Sequence, residues 1–171
     1  MAYQHDPDGP VVDKGAFRAR VFEIVGIWFV AFILIYIIIK ILSHSDTPQT
    51  NQEKLDSYTK ALAHIFANSA MQYTVDNSNG VVTVKAWGSG IASASKDAAE
   101  GNTVLLEEWE NMKESFKSLA KSMYESLLNF DIPGSKVVLT VVNELNHDRS
   151  LLVFLNGELT YDAVAEYRKG E

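Results

Sequence analysis

Hydrophobic and polar positions along this chain follow three different patterns. From position 24 to 39 every residue is apolar, aromatic or glycine, and Ile41 and Leu42 extend the run past Lys40. About 20 apolar residues rising 1.5 Å each cross about 30 Å of hydrocarbon. Residues 22–42 meet that length and are apolar on every face, so they offer no stripe to dock on a core. Six of the seven residues from 33 to 39 are Ile or Leu. Lipid forces such a segment into helix, because its backbone must satisfy its own hydrogen bonds. The expectation is a single transmembrane helix. A cleaved signal peptide has a shorter apolar core and a small-residue cleavage site, and "SHS" after Leu42 is a poor one.

The second pattern repeats at three and four. Thr50 and Glu53 have capping-box spacing, and Leu55, Tyr58, Leu62, Ile65, Phe66, Ser69 or Ala70, and Tyr73 follow at steps of three and four, predicting a helix from about 51 to 74. Residues 103–130 repeat it most strongly, through Leu105, Trp109, Met112, Phe116, Leu119, Met123, Leu127 and Phe130. That stripe fits core packing on a sheet, with a homo-oligomer through the 103–130 helix as the minority reading.

The third pattern is β-like. "VVTVKAW" predicts a strand after the turn "DNSNG", and "KVVLTVVNEL" predicts a central strand with both faces apolar. "NHDR" is expected to turn, "SLLVFL" to form the next strand, and Asn156-Gly157 to make a hairpin into "ELTYDAV". "GSGIASASKDAAEGN" is expected to be a loop with a helical turn near residues 93–100. The fold class is then α+β: one transmembrane helix, then two helices on a mostly antiparallel three- to four-stranded sheet. The boundaries are a disordered cytoplasmic tail at 1–21, the span at 22–42, a linker at 43–50, a domain at 51–165 and a tail at 166–171.

Charge adds an orientation. Lys14, Arg18 and Arg20 precede the span closely, which favours the N-terminus inside and the domain outside a cell membrane. Residues 1–42 carry four basic and four acidic side chains, so the net −7 of the 171-residue chain belongs to the rest. An acidic domain disfavours nucleic acid. The chain has no cysteine, which removes disulfides, thiol nucleophiles and thiolate metal sites.

Candidate chemistry is sparse. "GSGIAS" after a strand half-matches a dinucleotide loop, with Glu107 and Glu108 near the spacing of a ribose-binding acid. Ser93 and Lys96 have S-x-x-K spacing. His147, Asp148 and Arg149 adjoin in a turn, and His64 borders a helical stripe. Each has a plainer explanation as a small-residue loop, a chance pair, a solvated hairpin tip and a rim histidine. Glu107, Glu108 and Glu110 suit a helix N-terminus. Trp87 and Trp109 would line any apolar ligand pocket. No catalytic residue, cofactor or metal site is expected.

Residues 137–164, "VVLTVVNELNHDRSLLVFLNGELTYDAV", resemble the C-terminal part of small membrane-anchored or lipoprotein extracytoplasmic domains of Gram-positive bacteria. The matching positions are Asn143, Leu151, Leu152, Gly157, Tyr161, Asp162 and Ala163. The resemblance implies an extracytoplasmic module with no assigned activity. In order of elements alone, the chain is also similar to inner-membrane assembly components of conjugation and type IV secretion machines, whose domains are nuclear transport factor 2-like. The expectation is an envelope protein held in the bilayer through residues 22–42, whose domain binds or scaffolds protein partners. A ligand sensor and a small hydrolase are the alternatives.

Overall fold

The computed structural model describes residues 49–67, 69 and 71–170. The expected tail, span and most of the linker, residues 1–48, lie outside them. Among the described residues no helix is long and apolar enough to cross a membrane.

The described chain runs helix α1 (Asn51–Phe66), strands β1 (Gln72–Ser78) and β2 (Val81–Trp87), helices α2 (Ile91–Ala99) and α3 (Thr103–Leu128), strands β3 (Lys136–Asn143), β4 (Asn146–Leu155) and β5 (Glu158–Asp162), and helix α4 (Ala163–Lys169). The strands form one sheet in chain order, antiparallel except where β2 and β3 run parallel. A parallel pair needs a long crossover, and α2 and α3 supply it. The domain is α+β, with β3 central as the apolar run predicts.

Four departures from expectation have physical causes. The first helix stops at Phe66 rather than near Thr74. The Ser69 hydroxyl lies 2.9 Å from the Phe66 carbonyl oxygen and 2.6 Å from that of Met71, turning the chain out of the helix. Tyr73, Val75 and Asn77 then alternate as β1, a fifth strand. Residues 91–99 are a full helix rather than one turn, since small Ala and Ser side chains let it pack closely on α3. "NHDR" is not the turn. The Asn143 side-chain oxygen accepts from the Leu145 and Asn146 amides, placing the reversal at Glu144-Leu145 and leaving 146–149 in β4. The segment expected as a polar tail is helical to Lys169, started by Asp162 as its N-cap.

The helices cover one face of the sheet. Val75, Val84, Leu139 and Phe154 lie side by side across β1 to β4, and the last three are fully buried. Val82, Ala86, Val137, Val141 and Leu152 complete the face. Against it sit Leu55, Tyr58, Leu62 and Phe66 of α1 and the whole predicted stripe of α3 from Leu105 to Leu127. That stripe is used inside the domain. The Tyr58 hydroxyl donates to the Met123 carbonyl at 2.6 Å, joining α1 to α3, and the Tyr58 ring meets Phe130 edge-on. The capping box at Thr50 and Glu53 forms as the spacing predicts.

Burial pushes the Tyr58 and Tyr73 phenols well above the ordinary tyrosine range. Burial also pulls the Lys113 ammonium down, but its hydrogen bonds to Glu110 and Asp162 outweigh that and leave it raised. All three folded-state values exceed the unfolded ones. Their stabilisation is therefore complete below about pH 10 and lost as pH rises through the alkaline range. Urea midpoints should hold steady up to about pH 9 and fall beyond about pH 10. Tyr58→Phe should lower the neutral midpoint and flatten the alkaline fall; a variant falling as steeply as the parent contradicts the assignment.

Candidate functional site

The two ends of the sheet differ. At one end lie the Asn79-Gly80 turn, the start of β3 and the Asn156-Gly157 turn. The first turns of α1 are tied there by the Asn77 side chain, which bonds to Gln52, Asp56 and Thr59. At the other end β2 runs through Gly88-Ser89-Gly90 into α2, beside the β3–β4 reversal. The dinucleotide-like loop thus sits at the carboxyl end of a parallel strand, where phosphates are held in larger α/β sheets.

Its anion position is filled by the chain itself. Gly90 is the N-cap of α2 and brings no side chain to its free amides. The Glu144 carboxylate supplies the acceptors: the Gly90 and Ala92 amides each donate to one of its oxygens at 2.9 Å. A carboxylate on a helix N-terminus is favoured by both the hydrogen bonds and the dipole. Glu144→Ala should therefore cost about 1–2 kcal/mol and speed amide exchange at Gly90 and Ala92. Unchanged exchange there would show that the carboxylate does not hold α2.

The remaining candidates do not converge. The Ser93 hydroxyl donates to the Gly90 carbonyl at 3.0 Å, while the exposed Lys96 faces Glu100 at 3.8 Å. His147 and Asp148 are consecutive residues of an extended strand, so their side chains point to opposite faces. The His147 ring lies over Trp87, centroids 4.3 Å apart, and the Trp87 indole N–H donates to Gln72 at 2.8 Å. His64 is exposed near the end of α1. Glu107 is exposed and Glu108 buried within α3. Trp87 faces the open side of the sheet and Trp109 the helical side, so the sheet separates the two indoles. Among the described residues no three His, Asp or Glu side chains gather as metal ligands.

The polar cluster that does form was missed in the sequence. Asp162 is buried, and one of its oxygens accepts from the Val164 and Ala165 amides and the Trp109 indole, at 3.0, 3.2 and 3.1 Å. Its other oxygen takes the Lys113 ammonium at 3.0 Å, which also reaches Glu110. Both carboxylate oxygens are engaged by the protein, so this is a structural clamp joining α4 to α3. Asp162 before a short helical run is an N-cap signal; its contacts across 49 and 53 positions leave no local trace. Comparison with family models, curated proteins and solved structures gave no match.

What the far end presents is a surface. Leu145 at the β3–β4 reversal is 88% exposed, the most exposed large apolar side chain of the described residues. His147 follows two residues on, with its ring against Trp87. The reversal is held rigid by the Asn143 side chain and by Glu144 on α2.

Proposed function

We propose that the chain is a bitopic membrane protein, tethered through residues 22–42, whose extracytoplasmic domain binds a protein partner in a cell-envelope assembly. The apolar run and the basic residues before it support the tether and its orientation. The observation that carries the binding role is the opposition of the two ends. Helix α1 begins at Asn51, beside the Asn77–Gly80 end, whereas Leu145 lies at the far end of β3. Eight strand residues separate them by about 25 Å. A tether at one end therefore presents a rigid apolar knob away from the bilayer. An exposed apolar side chain on a held backbone offers a partner contact area that gains free energy when it leaves water.

The test is site-specific photo-cross-linking of the full chain in cells. A cross-linker at Leu145 should yield a discrete adduct, and one at Ser78, exposed at the opposite end, should not. Equal adducts at both positions, or none at Leu145, would count against a partner at this end.

A further inference from the structure

We infer that Asn79 is a site of spontaneous covalent modification, deamidating through a succinimide, while the chemically identical dipeptide at Asn156 is protected by the fold. Both Asn-Gly pairs sit at the tips of two-residue hairpins with positive φ at each residue: 52° and 80° at Asn79 and Gly80, 53° and 88° at Asn156 and Gly157. Glycine is needed in each for the left-handed backbone, and without a Cβ it also leaves its nitrogen open to reaction. In the reaction the Gly80 backbone nitrogen attacks Cγ of Asn79. The bond from Cγ to the side-chain nitrogen breaks, and ammonia leaves with the proton that Gly80 N gives up. Water then opens the ring at either carbonyl, leaving aspartate or isoaspartate at position 79.

The surroundings of the two turns set the rates apart. Attack requires the turn to open and the Asn side chain to swing onto the following nitrogen. The Asn156 side-chain oxygen accepts from the Val137 amide at 2.9 Å, and the Asn156 amide donates to the Val137 carbonyl at 2.8 Å. Gly157 is buried, and a Cβ there would lie 2.6 Å from Lys121 backbone, so this turn is pressed against α3. Opening it means parting the end of β3 from β4 and lifting the hairpin off the helix. Asn79 is exposed, and among the described residues its side chain makes no hydrogen bond. A Cβ on Gly80 would meet nothing within 4 Å. Beyond the β1–β2 ladder that closes it, the turn is steadied by a main-chain bond from the Lys136 amide to the Gly80 carbonyl at 2.9 Å. The isoaspartyl product adds a backbone atom beside that bond, where β2 and β3 begin their pairing.

The test is peptide mapping of the full chain, purified in detergent and incubated in warm, mildly alkaline buffer, with isoaspartate scored at each site. Position 79 should convert at least about tenfold faster than 156, the ratio that ~1.4 kcal/mol of extra opening cost at Asn156 produces. In urea, where both dipeptides lose their surroundings, the rates should converge. Equal rates in the folded chain, faster conversion at 156, or no folded-state conversion at 79 while the unfolded chain reacts would each overturn the assignment.

Discussion

Trp109→Ala should unfold the domain more readily than any other single side-chain truncation in α3, at a cost of about 4 kcal/mol. The indole is 1% exposed and is the largest fully buried side chain of the described domain. Truncation leaves a void between α3 and the sheet and removes the N–H that faces Asp162 at 3.1 Å. Trp109→Phe separates the two effects. It restores most of the volume and loses only the hydrogen bond to a carboxylate, so about 1–2 kcal/mol should go. Asp162→Ala should cost about 3 kcal/mol, because it leaves the Lys113 ammonium with Glu110 alone, leaves the buried Trp109 N–H without its acceptor and uncaps α4 together. Asp162→Asn keeps an acceptor for the indole and the cap but sets an amide against the ammonium. Its loss should fall between those of Trp109→Phe and Asp162→Ala. Urea unfolding of the four variants checks the order. Equal losses for Trp109→Ala and Trp109→Phe would show that the hydrogen bond rather than the packing carries the effect.

Gly157→Ala should cost about 3 kcal/mol, against about 1 kcal/mol for Gly134→Ala. Both glycines have positive φ, 88° and 75°, so a side chain pays a similar backbone penalty at each. They differ in what a Cβ meets. At Gly134 there is nothing within 4 Å, while at Gly157 the Lys121 Cα and Cβ lie at 2.6 Å and its amide nitrogen at 2.9 Å. Those are atoms of a helix packed on three strands, and they do not yield as the end of a flexible side chain would. The difference between the two variants isolates this close approach. Thermal midpoints that drop equally would mean that the hairpin does not press on α3.

The elements with dense local signals were legible: the 26-residue α3 with its stripe, the apolar β3, the Thr50–Glu53 capping box and the Asn156-Gly157 hairpin. Those missed had signals that were diluted or misleading. Tyr73 falls on the three-four spacing of α1 by coincidence, so β1 was hidden in a helix that Ser69 ends. Residues 146–149 are polar and exposed, hence turn-like in composition, yet they extend β4. The seven residues of α4 are too few for periodicity to show. At the candidate site the strand–loop–helix order around Gly88 and Gly90 was visible, but not its occupant. Glu144 is 54 positions from Gly90, and the one hint is that a glycine N-cap requires an acceptor from elsewhere.

The proposed tether by residues 22–42, with Leu145 facing away from the membrane outside the cell, is tested most directly by the sidedness of the domain. Because the chain has no cysteine, a single Asp148→Cys substitution on the exposed start of β4 gives one reporter thiol. Intact cells carrying the full chain would be treated with a membrane-impermeant maleimide, and the membrane fraction recovered. Labelling of intact cells, with the labelled chain in the membrane fraction, is the result that the proposed tether requires. Labelling only after lysis would put the domain on the cytoplasmic side, and recovery of the chain free of the membrane would remove the tether; either contradicts it.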